Sequence, residues 1–347
     1  MEQRVKGDDA HASRRRGCML ALAIGDALGA PVEFLSRRQI LSRFGSQGVS
    51  ELEPWGSQPA GAYTDDTQMS VATARGILDW CETTGWSPGS AGPADRDALA
   101  LAIWSRYAEW ARSPECPLGR PGMKCLGSIA SGVPLALSDL VDGRGKGCGG
   151  VMRVAPLGLA GLGEAAFEAG ARVATLTHRH PTSDASSGFL AALVRWLVDG
   201  ESLTGAVDAA REQLVAWDGH EETLDAVDAA VRLAGGGMDD YPAMGRIGHV
   251  GHETEDGHGK GWVAEEALGI ALFCALRHQG DVAAALRAAA NISGDSDSTA
   301  SITGAILGAT LGDMAIPARW VAAVQNRELL VDLADRLGEP AATAGDA

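Results

Sequence analysis

Apolar residues recur at helical spacing along most of the chain. No segment shows the sustained alternation of Val, Ile, Thr and aromatics that marks a strand. Residues 97–112 show the spacing well: Leu99, Ile103, Trp104, Tyr107 and Trp110 fall at roughly helical intervals. The same reading predicts helices at 14–29, 65–80, 126–131, 164–178, 183–198, 203–215, 221–233, 262–277, 281–291, 297–312 and 326–336. Glycine- and proline-rich stretches at 36–62, 83–96, 113–123, 143–150 and 235–261 read as irregular connections. Long connections of this kind are often functional. No clean linker and no internal repeat interrupts the pattern. The expectation is one all-α domain over residues 14–337, with flexible termini at 1–13 and 338–347.

Composition narrows the class. With 347 residues and 46% hydrophobic content, the chain can bury a sizeable core. Gly and Ala are abundant and aromatics sparse at 5%, which suits closely approaching helices. The net charge of −16 repels phosphate backbones, so general nucleic-acid binding is not expected. The six cysteines form no C-x-x-C pair and read as reduced thiols of a cytoplasmic protein. Arg14-Arg15-Arg16 before Gly17–Ile24 imitates an export leader, but the apolar run is short and Asp26 interrupts it. Ala300–Ile316 carries Asp313 and several hydroxyls, so it reads as a buried helix and no membrane association is expected. No exposed heptad argues for assembly, so a monomer is expected.

Five motifs carry chemistry. Tyr63-Thr64-Asp65-Asp66-Thr67 places two adjacent carboxylates at a helix start. Thr64 is a good N-cap and acids favour the first turn, so capping alone is one reading. A hard cation relieving the carboxylate repulsion is the other. Gly294-Asp295-Ser296-Asp297-Ser298-Thr299 opens a second helix with alternating carboxylates and hydroxyls, a donor set suited to Mg²⁺ or Mn²⁺ and equally open to capping. It is not a Ca²⁺ loop of the EF-hand kind. In Gly25–Phe34, Gly29 and Pro31 end a helix and leave Glu33 among apolar neighbours, where a buried carboxylate needs a partner; a surface acid is the alternative. The run Gly143–Gly150, leading into Val151-Met152-Arg153-Val154-Ala155-Pro156, can present backbone N–H groups to phosphate or serve as a linker. It lacks the Gly-Lys-Ser/Thr of a Walker loop. Leu176-Thr177-His178 ends a further helix. His249, His252 and His258, with Glu253, Glu255 and Asp256, lack the spacing of a zinc site.

Taken together and in this order, Gly25–Phe34, Tyr63–Thr67, Gly147–Pro156, Leu176–His178, Gly261–Glu266 and Gly294–Ala300 resemble the ADP-ribosylglycohydrolase family. The match covers about residues 14–315. The resemblance implies an all-α orthogonal helical bundle with two Mg²⁺ ions, or Mn²⁺, at the mouth of a cleft. It implies Thr64, Asp65, Asp66, Asp295, Asp297 and Ser298 as metal ligands and Glu33 as the glutamate near the scissile bond. Gly147, Gly149, Gly150, Val151 and Met152 would hold the phosphates and distal ribose. His178 and Trp262 would line the ADP-ribose cleft. Some members carry an acid before the phosphate loop. The corresponding stretch here, Leu118 to Met123, has none, which leaves the acceptor linkage open.

The expected activity is hydrolysis of an N- or O-glycosidic ADP-ribosyl bond, with an ADP-ribosylated protein as the partner and Glu33, Asp65, Asp66 and Asp297 as the catalytic group. Two alternatives stand beside it: a metal-dependent nucleotide phosphohydrolase, and a non-catalytic ADP-ribose-binding relative.

Overall fold

The computed structural model describes residues 2–87, 95–113, 129, 145–248 and 260–338. Among these the regular structure is helical, with isolated backbone bridges and no strand. The first group of helices is α1 (Glu2–Gly29), α2 (Arg37–Phe44), α3 (Asp65–Thr84), α4 (Arg96–Ala111) and α5 (Ala155–Leu159). Next come α6 (Ala166–Ala174), α7 (Pro181–Val198), α8 (Leu203–Val215), α9 (Glu221–Ala234) and α10 (Asp240–Met244). The last are α11 (Ala264–Arg277), α12 (Val282–Ala290), α13 (Ser296–Leu311), α14 (Ala318–Ala323) and α15 (Arg327–Arg336).

Two helices form the centre. From Gly17 onward α1 is buried on every face, and α13 is buried from Ser296 to Ala309. Helices apolar or small all round belong inside a domain. The pair runs antiparallel, with Gly17, Ala21, Gly25 and Gly29 facing Gly308, Gly304, Ala300 and Ser296 in turn. A Cβ at Gly25 would lie 2.1 Å from the Ala300 carbonyl oxygen, and one at Gly304 would lie 2.0 Å from that of Ala21. Only hydrogen fits there, so the four-residue spacing of small residues sets how closely the backbones approach. The consequence reaches the chemistry. The C-terminal end of α1, with Asp26, is brought beside the start of α13, with Asp297.

The other helices wrap this pair. α3 packs on α4, α7 on α5, α6 and α8, and α9 on α11. A hydrogen bond of 2.6 Å between Thr73 and Tyr107 locks α3 to α4 inside the core. The buried stretch Gly17–Ile24 is part of α1, and Arg16 beside it pairs with Asp335 of α15 at 2.6 Å. No helix among the described residues is long and apolar enough to cross a membrane. Cys18, Cys81, Cys148 and Cys274 are free thiols.

Several boundaries differ from the sequence reading. Residues 1–13 are helical from Glu2, because adding turns to an already buried helix avoids the cost of nucleation. The 36–62 stretch contains α2, which a Ser36/Gln39 capping box starts; Ile40 is its only buried residue, so periodicity gave no signal. The 235–261 stretch likewise contains α10. α6 stops at Ala174, leaving Thr177 and His178 beyond its end instead of within the expected 164–178 helix. Except for Ile129, which is helical and buried, the expected 126–131 helix lies outside the described residues. So do Leu118–Met123, the His249–His258 cluster and the tail 339–347.

Candidate active site

Two helix N-termini and the end of α1 meet at a cluster of buried carboxylates. Asp26, Asp66, Asp295 and Asp297 are each at most 3% exposed. Asp26 is tied to the start of α3: its carboxylate accepts from the Thr64 N–H at 2.9 Å, the Thr67 N–H at 2.9 Å and the Thr67 hydroxyl at 2.6 Å. Burial and the neighbouring Asp297 charge push the Asp26 carboxyl up to about 7. The Thr64 hydroxyl donates to Asp297 Oδ2 at 3.2 Å, and Asp297 Oδ1 accepts from the Ser298 N–H at 3.1 Å. Burial, then repulsion from Asp297, also pushes Asp66 and Asp295 well above the usual carboxylate range. Asp66 Oδ1 is buried without a hydrogen-bond partner. Asp65, beside it in the first turn of α3, is partly exposed.

Four loop segments frame the cluster, and backbone hydrogen bonds knit them. Phe34 N–H donates to Gly294 O at 3.1 Å, Asp295 N–H to Lys260 O at 2.9 Å, and Cys148 N–H to Trp262 O at 3.0 Å. Phe34 adopts a left-handed φ of 67° and stacks on Trp262 with ring centroids 5.0 Å apart. For a phenylalanine that conformation is uncommon, and Glu33, the residue before it, is partly exposed next to the Phe34–Gly294 hydrogen bond. Lys146 anchors the glycine-rich loop to Glu222 at 2.8 Å and to the buried Glu265 at 2.5 Å.

The glycine-rich loop reaches the carboxylates through Cys148, whose thiol donates to Asp295 Oδ2 at 2.8 Å. On its other side the loop rests on His178. A Cβ at Gly149 would lie 2.8 Å from His178 Cε1, and one at Gly150 would lie 2.5 Å from the Ser183 hydroxyl. The glycines therefore let backbone take the place a side chain would fill, which is what an anion-binding loop requires. Burial first, and the Arg153 charge second, lower the His178 imidazole to about 3, so the ring is neutral.

Comparison with known proteins identifies the family. The ADP-ribosylglycohydrolase family model matches residues 7–347. The chain belongs to the ADP-ribosylglycohydrolase family. It is 31% identical over 208 residues to the ADP-ribosyl-dinitrogen reductase glycohydrolase of Rhodospirillum rubrum, covering 57% of this chain and 62% of that one. It is 28% identical over 345 residues to the ADP-ribosylhydrolase ARH3 of Mus musculus, covering 89% of this chain and 86% of the relative. A solved ADP-ribosylglycohydrolase-related protein complex superposes with a TM-score of 0.67 at 28% identity, over 95% of this chain and 98% of that one. The enzyme class is accordingly glycosidic hydrolase, and the fold is the family's all-α one.

Within this glycohydrolase, Thr64, Asp66, Asp295, Asp297 and Ser298 converge on one buried cluster. Glu33 and Trp262 lie at its rim, and Gly147, Gly149, Gly150, Val151, Met152 and His178 lie along its loop side. The donor chemistry fits a hard divalent cation: the oxygens are carboxylate and hydroxyl, one of them is orphaned, and the carboxylates repel one another. Among the described residues no three His, Cys, Asp or Glu side chains form a ready-made cage. Asp295 is satisfied by Cys148, and Asp297 by Thr64 and Ser298.

Four site residues have no role that the sequence alone signals. Asp26 stands in the Gly25–Phe34 motif and interrupts an apolar run, and an acid within the apolar C-terminal half of α1 is the available signal. Cys148 was read as one reduced thiol among six. Phe34 and Arg153 sit in recognised motifs, yet nothing in their spacing reveals the ring stack or the burial.

Proposed function

We propose that this glycohydrolase releases ADP-ribose from an N- or O-glycosidic conjugate on a protein, using a site for two divalent cations built by Thr64, Asp65, Asp66, Asp295, Asp297 and Ser298. The observation that carries the reading is the 2.8 Å contact between Cys148 and Asp295, which makes the glycine-rich loop and the carboxylate cluster walls of one site. Mg²⁺ or Mn²⁺ bound there supplies positive charge that offsets the carboxylates and acidifies nearby water. The loop's N–H groups, with Val151 and Met152 behind them, bind the phosphates and distal ribose. Trp262 and Phe34 offer a flat apolar wall for the sugar or base. Glu33, held at the rim by the strained Phe34 turn, orients a water or takes its proton as an oxocarbenium-like state develops at the anomeric carbon.

The deciding experiment offers the full chain a panel of ADP-ribosylated arginine and serine peptides and O-acetyl-ADP-ribose, with and without EDTA. Free ADP-ribose should appear from at least one, and EDTA should abolish it. AMP or phosphate in its place would point to a phosphohydrolase, and tight ADP-ribose binding without turnover on any linkage to a binding protein.

The loop contributes a separate expectation. In the Gly149→Ala variant the new methyl must displace the His178 ring, so KM should rise by roughly tenfold or more while the thermal midpoint stays close to that of the unmodified chain. Steady-state kinetics on the cleaved conjugate checks this.

A further inference from the structure

Arg153 is an unusual core residue. It is fully buried, and no Asp or Glu among the described residues pairs with it. Its guanidinium lies over the Tyr107 ring, 4.5 Å from the centroid, and one Nη2 donates to the Val173 carbonyl at 3.3 Å and the Thr177 hydroxyl at 2.5 Å. Burying a cation without a counter-charge is costly, so a purely architectural role is a poor account of it.

The hydrogen-bond inventory determines what this guanidinium does next. Arginine only donates, so the Thr177 oxygen is an acceptor toward Arg153. Thr177 Oγ1 also lies 2.8 Å from His178 Nδ1. A hydroxyl has one proton, and among the described residues Nδ1 is the acceptor within its reach. Were Nδ1 protonated, the oxygen would accept twice and its own buried proton would find no partner among the described residues; pairing every proton puts the imidazole proton on Nε2. That edge faces the loop: a Cβ at Gly147 would lie 3.3 Å from Nε2, and one at Gly149 would lie 3.2 Å from it. The nearby Arg153 charge also opposes protonation of the ring.

We infer that Arg153 and Thr177 are positioning residues that hold His178 as a neutral Nε2–H donor facing the Gly147–Gly149 loop. The donor suits an anionic oxygen, here a phosphate of ADP-ribose, so the ligand half of the inference rests on the function proposed above. The tautomer half does not. The break of α6 at Ala174 has a purpose in these terms, since it frees Thr177 and His178 to turn toward the loop.

Long-range ¹H–¹⁵N NMR of the full chain at pH 7 tests the tautomer, and calorimetry with free ADP-ribose tests its use. His178 should appear as a single Nε2–H tautomer. Thr177→Val keeps the side-chain shape and removes the hydroxyl; it should mix the tautomers and weaken ADP-ribose binding by about tenfold, the size of a hydrogen bond to a charged group. Thr177→Ser should restore both. His178→Gln, which keeps a donor at the end of the side chain, should bind ADP-ribose better than His178→Phe. An Nδ1–H or charged His178 in the unmodified chain, or an unchanged tautomer in Thr177→Val, overturns the relay. A correct tautomer with ADP-ribose binding unaffected in Thr177→Val and His178→Phe overturns the donor role. An unmodified chain that binds no ADP-ribose fails the functional reading, and leaves the tautomer result standing by itself. If Thr177→Val does not fold, the spectrum of the unmodified chain still decides the tautomer.

Discussion

Asp297→Asn is expected to lower turnover of the ADP-ribosyl conjugate by at least about 10³-fold, the size that follows from losing several kcal/mol of transition-state charge stabilisation. Asp297 is the carboxylate that the others feel: its charge, after burial, pushes Asp26, Asp66 and Asp295 upward. The amide keeps the side chain's shape and can still serve the Thr64 hydroxyl or the Ser298 N–H. What it removes is one buried negative charge. The effects on stability and on catalysis should therefore have opposite signs. In EDTA the variant should melt at the same temperature as the unmodified chain or higher, because repulsion within the cluster is relieved. Added Mg²⁺ should stabilise the unmodified chain by mass action and the variant little or not at all. Thermal melts with and without Mg²⁺, run beside the turnover assay, check both. A variant that keeps full activity, or that gains as much from Mg²⁺ as the unmodified chain, refutes the cation role of this cluster.

The main helices were legible because their faces repeat. α4 and α8 were read to within a residue at each end, since Leu99, Ile103, Tyr107 and their counterparts on α8 mark one face each. α2 and α10 were not legible: eight residues with Ile40 alone buried, or five residues in all, carry too few apolar positions to show a period. The site divides the same way. Its carboxylates and glycines stand in contiguous motifs, so their residue types announce an oxygen-rich element and a glycine-rich loop able to present backbone N–H groups. How those elements join was not announced. The Cys148–Asp295 contact spans a separation of 147 residues, and the Asp26 bonds to Thr64 and Thr67 span about 40. The first joins the glycine-rich loop to the start of α13 and the second the end of α1 to the start of α3, while the crossing of α1 and α13 sets Asp26 beside Asp297. Capping is realised at one helix start and not at the other. Thr64 accepts from the Asp66 N–H at 3.4 Å, whereas the Asp295 side chain caps nothing and turns to Cys148.

That crossing gives the second large expectation. Gly304→Ala should destabilise the chain by about 3 kcal/mol or more, the upper range for overpacking a core. The sign is informative, because alanine in an ordinary helix position is about 1 kcal/mol better than glycine. Here the new Cβ would stand 2.0 Å from the Ala21 carbonyl oxygen, and the neighbours on α1 are backbone, which has no rotamer to yield. The two central helices must separate or slide. Gly280→Ala is the control: its Cβ would meet nothing within 4 Å, so its effect should stay within about 0.5 kcal/mol. Urea titration of both variants measures the difference. The separation also reaches the site. Asp26 rides on α1 and Asp297 on α13, while Thr64 bonds both. A shift between the helices therefore pulls the Thr64 turn in two directions, and Gly304→Ala should lose turnover at temperatures where its far-ultraviolet circular dichroism is still native. Activity that tracks the folded fraction alone would show that the carboxylate cluster is held by its own loops, independently of the glycine contact between α1 and α13.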